Sequence, residues 1–178
     1  MEDGSPFIFR NYTELDLEEH KTVLQARNHT EVRRWMTHKD PILLTDHLNY
    51  IEFLKASGEN LYFAAFNEGT YCGSVSLTGL SSQKPYFGYF SSPHLFGTKN
   101  GIKLYYYGLS FLILKFQFEN VFGLIFKENK KALKLGLKFG FTSLTEYEHF
   151  IEISRPTLSW PLYLKQHEVF ELLLRKSE

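Results

Sequence analysis

The sequence predicts an α/β (α+β) domain built on a mixed, mostly antiparallel sheet, and three observations predict it. Apolar periodicity alternates between strand-like and helix-like spacing in the order strand, helices, three strands, helix, strand, helix, two strands. The three middle strands are joined by connections too short for parallel crossovers, which makes them antiparallel neighbours. A length of 178 residues with 43% hydrophobic and 17% aromatic content suits one domain with a substantial core.

"PFIFRNY" reads as the opening strand and "LDLEEHKTVLQARN" as the first helix. "HTEVRRWM" predicts a short second helix capped by Thr30. "TDHLNYIEFLKAS" predicts a third, capped by Thr45, with Leu48, Ile51 and Leu54 as its apolar stripe. "LYFAAF", the turn "NEGT" and "YCGSVSLTGL" form a hairpin, and "KPYFGYFSS" is the next strand, ended by Pro93. The turn-rich "HLFGTKNG" leads into a long helix over "IKLYYYGLSFLILKFQF". "NVFGLIFK" is a strand, "NKKALKLGLKFG" a helix, and "FTSLTEYE" with "HFIEIS" a closing hairpin. Residues 1–178 form one domain with its core at 7–153. Residues 154–178 are a helical extension, amphipathic after Pro161, that packs on its own domain or on a partner.

Twenty basic residues balance twenty acidic ones, so no global field steers the chain to nucleic acid or to an anionic membrane, and an anion site must be local. The single cysteine, Cys72, excludes an internal disulfide framework and offers no metal-ligand spacing. It fits a strand core in a reducing compartment, with the cytoplasm as the default. The N-terminus lacks the pattern of a signal peptide, and "SFLILKFQF" is too short to span a bilayer.

Two stretches suit an anion. In "FGTKNG" the residues Gly97, Asn100 and Gly101 permit a tight turn just before a helix, where unpaired N–H groups and the helix dipole favour a diphosphate. Five lysines and one glutamate fall between Lys127 and Lys138, on and before the last internal helix. Such a run is ordinarily a solvated face, but two anion-compatible features on consecutive strand-helix units meet at one edge of a sheet.

The element order and these motifs resemble the GNAT superfamily of acetyl-CoA-dependent N-acetyltransferases over about residues 7–153. The resemblance implies a twisted sheet with helices on both faces. It implies CoA contacts from Gly97, Thr98, Lys99, Asn100, Gly101 and Ile102, and from Asn129, Lys131, Ala132 and Lys134 on the later helix. In the pyrophosphate loop Phe96 stands where the family has Arg or Gln, and Lys99 where it has the middle Gly. "ARNHTEVRRWM" followed by "DHLNYIEFL" is similar to the GNATs of the pseudaminic acid pathway, which acetylate the 4-amino group of a UDP-linked dideoxy sugar for flagellin glycosylation in bacteria. That likeness implies a nucleotide-sugar substrate, with Arg27 reaching the nucleotide. Trp35 and Met36 would line an apolar pocket that His47 and Tyr50 close, and Ser76, Tyr86 and Phe90 would add to it. Arg forks onto phosphate, and aromatic or thioether groups pack a base or a deoxy methyl group. A core would use Trp35 and Met36 as readily, and a structural histidine would account for His47. Oligomeric state stays open, a homodimer included.

Amine attack on a thioester needs deprotonation, polarisation of the carbonyl and protonation of sulfur. The N–H groups of Phe90 and Ser91 suit polarisation, and His47 is the candidate to take the amine proton. The family commonly protonates sulfur with a Tyr seven residues after Asn129, a position that here holds Gly136. Leu124 likewise stands where closer members carry an acid. Two alternatives remain beside the sugar-nucleotide enzyme: a GNAT for a protein N-terminus or small amine, and a non-catalytic module binding acetyl-CoA or a nucleotide sugar.

Overall fold

Runs rich in aromatic and β-branched residues give seven strands among the described residues: β1 (Ile8–Asn11), β2 (Asn60–Asn67), β3 (Thr70–Thr78), β4 (Tyr86–Ser91), β5 (Asn120–Phe126), the exposed, Thr-containing edge strand β6 (Thr142–Glu146) and β7 (Phe150–Pro156). The computed structural model describes residues 6–82, 84–158 and 160. The strands form one sheet in the order β1-β2-β3-β4-β5-β7-β6. Every neighbouring pair is antiparallel except β4 with β5. The helices are α1 (Leu17–Asn28), α2 (Thr30–Arg33), α3 (Leu44–Ser57), α4 (Lys99–Phe116) and α5 (Lys130–Lys138).

Strand alternation divides the core between the two faces. Phe63, Val75, Leu77 and Phe87 point with Ile153 toward α4 and α5, where they pack on Tyr105, Leu109 and Leu112. Ala64 and Phe66 point the other way and pack on Val23, Ala26, Ile51 and Leu54 of α1 and α3. Helix α4 lies close on the sheet at Gly108, where an added Cβ would overlap the Val75 side chain.

The helix starts differ from expectation in three places. The cap of α2 is His29, whose Nδ1 accepts from the Glu31 N–H at 3.3 Å, and Thr30 is already helical. Helix α3 begins at Leu44 with no side-chain cap, so Thr45 lies inside its first turn. The Asn28 amide fixes its approach instead, donating to the Ile42 carbonyl and accepting from the Ile42 N–H, both at 2.8 Å. Helix α4 starts at Lys99, which puts Asn100 and Gly101 within its first turn and leaves Gly97, at φ +73°, to make the bend.

Strand β7 continues to Pro156, past the expected core limit at residue 153. Trp160 is fully buried, with its Nε1–H donating to Ser110 Oγ at 3.1 Å and the Arg155 guanidinium over its ring at 4.6 Å. The helix expected after Pro161 lies outside the described residues.

Candidate active site

Strands β4 and β5 run side by side, yet one residue pair, Tyr86 with Phe122, bridges them. At that point the Phe122 N–H donates to the Pro85 carbonyl at 3.0 Å. Beyond it the strands part. β4 stays paired to β3 as far as Ser91 with Gly73, and β5 stays paired to β7 as far as Phe126 with Phe150. The result is a V-shaped gap between two strands whose other edges are fully bonded.

Alternation decides which groups line the gap. The N–H and C=O of one strand residue point to the same side, and those of the next point to the other. The Pro85 carbonyl faces β5, whereas the Ser92 N–H faces β3, donating to the Cys72 carbonyl at 2.8 Å. The N–H groups of Tyr89 and Ser91 therefore face the gap. The N–H of Phe90 turns to β3, which corrects its expected place as a polarising donor. Its side chain packs against the α1–α3 side of the core. The Tyr89 N–H was not foreseen as a polarising donor because this parity depends on which neighbour β4 pairs with, and composition does not reveal that.

Two helix starts flank the open end. Thr98 caps α4, its Oγ1 accepting from the Gly101 N–H at 3.4 Å and donating to the Leu95 carbonyl at 2.8 Å. Tyr89 pins the same turn to β4, its hydroxyl donating to the Gly101 carbonyl at 2.6 Å. Asn129 caps α5 by accepting from the Ala132 N–H at 3.1 Å, and Lys131 and Lys134 are exposed on that helix. Asn129 thus has a structural bond of its own beside any contact to a cofactor.

On the α1–α3 face a row of residues crosses three strands in register: Tyr62 of β2, Ser76 of β3 and Gly88 of β4. The missing side chain at Gly88 leaves room for the Ser76 hydroxyl. The Tyr50 hydroxyl donates to that of Tyr62 at 3.3 Å, so Tyr50, Ser76, Tyr86 and Phe90 share this face. Arg27 donates from Nη2 to the His38 carbonyl at 3.0 Å, while its buried Nη1 has no hydrogen-bond partner among the described residues. Burial pushes the Arg27 pKa down, and the Tyr12 and Tyr62 hydroxyls oppose that shift. Trp35 and Met36 are half-buried in the turn after α2, with the Arg34 guanidinium over the Trp35 ring at 4.8 Å.

His47 lies deeper, between α1 and α3, with its Nε2 at 3.1 Å from Nδ1 of the buried His20 and its ring edge-on to Tyr12. Burial and the neighbouring His20 bring its pKa down to about 4. A base that weak holds a transferred proton poorly at neutral pH. The geometry gives His47 a packing role and does not carry the catalytic role expected of it.

A polar cluster that the sequence did not suggest lies at the closed end of the gap. The Glu152 carboxylate on β7 is 1% exposed and accepts from Tyr86 Oη at 3.0 Å, Lys84 Nζ at 3.1 Å and Tyr147 Oη at 3.0 Å. Burial pushes its pKa up, but these three donors outweigh that and leave it below the ordinary carboxylate value. Only the polar interruption between Ile151 and Ile153 in "FIEIS" marked Glu152 beforehand.

No family model matches the chain. It is 30% identical over 145 residues to the acetyltransferase PseH of Campylobacter jejuni serotype O:2, covering 79% of this chain and 88% of that protein. The fold matches the crystal structure of C. jejuni PseH in complex with acetyl coenzyme A at a TM-score of 0.69 and 21% identity, covering 84% of this chain and 98% of that one. It also matches a Vibrio cholerae spermidine N-acetyltransferase in complex with CoA and spermine, at a TM-score of 0.75 and 12% identity over 85% of this chain and 96% of that one. Sheet order, the parted β4 and β5 and the sequence identity together make this chain a GNAT-fold N-acetyltransferase of the PseH family.

Proposed function

We propose that the protein transfers an acetyl group from acetyl-CoA to the 4-amino group of a nucleotide-linked 4-amino-4,6-dideoxy sugar, the acetylation step of a pseudaminic-acid-type pathway. The observation that carries this reading is the β4–β5 gap, which opens after one bridge and leaves an unpaired strand edge in a chain of the PseH family.

The residues present fit the cofactor. The N–H groups of Tyr89 and Ser91 lack a strand partner on the gap side and suit the amide and carbonyl oxygens of an extended acyl-pantetheine arm. The bend at Gly97 and the first turn of α4 suit a diphosphate, and Lys131 and Lys134 add exposed positive charge nearby. Bound acetyl-CoA supplies an acyl carbon activated by a thiolate leaving group.

The chain's own part is to polarise and to align. A backbone N–H aimed at the developing oxyanion needs no reorganisation during reaction, and losing one such donor typically costs about 10²–10³-fold in rate. The acceptor comes from the opposite face, along Tyr62, Ser76 and Gly88, with Phe90 beside that row. Arg27, with one buried nitrogen to spare, suits the nucleotide phosphates.

The test is incubation with acetyl-CoA and a UDP-linked 4-amino-4,6-dideoxy sugar. Free thiol is expected to appear together with a sugar nucleotide heavier by one acetyl group. Absence of both, while calorimetry shows each ligand binding, would overturn the reading.

A further inference from the structure

Glu152 gathers three donors from two segments: Lys84 and Tyr86 at the entry to β4, and Tyr147 in the turn between β6 and β7. The carboxylate is buried, while its donors are not. Half of the Lys84 side chain and 47% of Tyr147 are exposed, and Tyr86 is half-buried. Each phenol gives its proton inward, so the remaining lone pairs of its oxygen are available outward.

The location connects this cluster to acceptor chemistry. Tyr86 forms the one bridge to β5, and its ring meets that of Phe122 at 5.9 Å. Glu152 stands opposite Leu124 in the β5–β7 register. Leu124, 49% exposed, gives an apolar wall beside the polar cluster. Tyr86 alternates with Gly88 and Phe90 on the face proposed for the sugar. A deoxy amino sugar needs this combination, oxygen acceptors for its N–H and O–H groups and an apolar surface for its methyl group.

We propose that Glu152 is a positioning residue for the acceptor: by accepting the hydroxyl hydrogen bonds of Tyr86 and Tyr147 it fixes both phenol oxygens as hydrogen-bond acceptors for the N–H and O–H donors of the sugar. This rests on the function proposed above. Lys84 donates to Oε1, the oxygen that also accepts from Tyr86, and helps keep the carboxylate ionised, so both of its oxygens stay acceptors for the phenols.

Steady-state kinetics of wild type, Tyr147→Phe and Glu152→Gln test it, with the UDP-linked amino sugar and acetyl-CoA varied separately and the melting midpoint recorded. Tyr147→Phe is expected to raise the acceptor KM about 3–10-fold, the equivalent of one net hydrogen bond, with the acetyl-CoA KM unchanged. Glu152→Gln is expected to do at least as much, because the new amide donates to one phenol and turns its proton outward. An unchanged acceptor KM in Tyr147→Phe overturns the proposal, even if Glu152→Gln does not fold. A fall in melting midpoint with both KM values rising together also overturns it and makes Glu152 purely structural. An inert wild type overturns the function reading itself, whereas an active wild type with indifferent variants overturns only this inference.

Discussion

Gly136 sits inside a helix, where glycine costs about 1 kcal/mol relative to alanine. The structure supplies a reason for it. A Cβ added there would stand 2.7 Å from Ile153 Cδ1, with Ile125 and Phe141 atoms at 3.9 Å. Ile153 is 1% exposed and fills the space a larger residue on α5 would occupy. The glycine and the isoleucine are thus a complementary pair, and the absence of a Tyr at this position on α5 is tied to a residue on β7. Gly136→Tyr alone is expected to destabilise by about 1–3 kcal/mol through overpacking. Adding Ile153→Ala should recover part of this, giving a coupling of about 1 kcal/mol or more in a double-mutant cycle read by urea unfolding. Strict additivity of the two changes would show that they do not share that space.

Helix α4 illustrates how an element is aimed. Its N-terminus is positioned by Thr98 and Tyr89, but its height above the sheet is set farther along, where Gly108 meets Val75. Gly108→Ala is expected to lift the helix, destabilising the protein by about 1–3 kcal/mol and raising the acetyl-CoA KM more than the acceptor KM. Val75→Ala in the same chain should restore both, and a Gly108→Ala variant with wild-type stability and kinetics would refute this account. Element order and type were legible in the sequence because they follow from local periodicity and turn residues such as Glu68-Gly69 between β2 and β3. The Gly97 bend was legible for the same reason. The side of β4 that carries free N–H groups, the burial of His47 against His20 and the gathering of Lys84, Tyr86 and Tyr147 on Glu152 were not. Each depends on a partner distant in sequence, 27 residues away for His20 and 68 for Lys84. The caps at Thr30 and Thr45 were misread because His29 and the Asn28–Ile42 clamp do their work.

At the scale of the whole molecule the balanced charge leaves pH sensitivity to a few buried groups, and the His20–His47 pair joins α1 to α3. Burial lowers both pKa values, that of His47 to about 4 from the ordinary 6.5. The groups facing His20 include Asp16 and Glu19, which resist the shift, and Lys55, which adds to it. The unfolded chain binds a proton at His47 below about pH 6.5 and the folded chain does not until about pH 4. Folding stability from this pair is therefore complete above pH 6.5 and declines as pH falls toward 4. For His47 alone, with solvent screening taken into account, the loss between pH 7 and pH 5 is about 1 kcal/mol. Glu152 acts in the same direction at more acid pH, because its lowered pKa makes its contribution fall away only below the ordinary carboxylate range. Urea midpoints at pH 7 and pH 5 measure the first window. His47→Gln, which keeps a bond to His20 without titrating, should shrink the difference, and equal wild-type stability at the two pH values would mean that the imidazole pair takes up protons within the folded protein. Because α3 carries Tyr50 beside Tyr62, loosening of this pair should raise the acceptor KM at pH 5 in wild type and less so in His47→Gln.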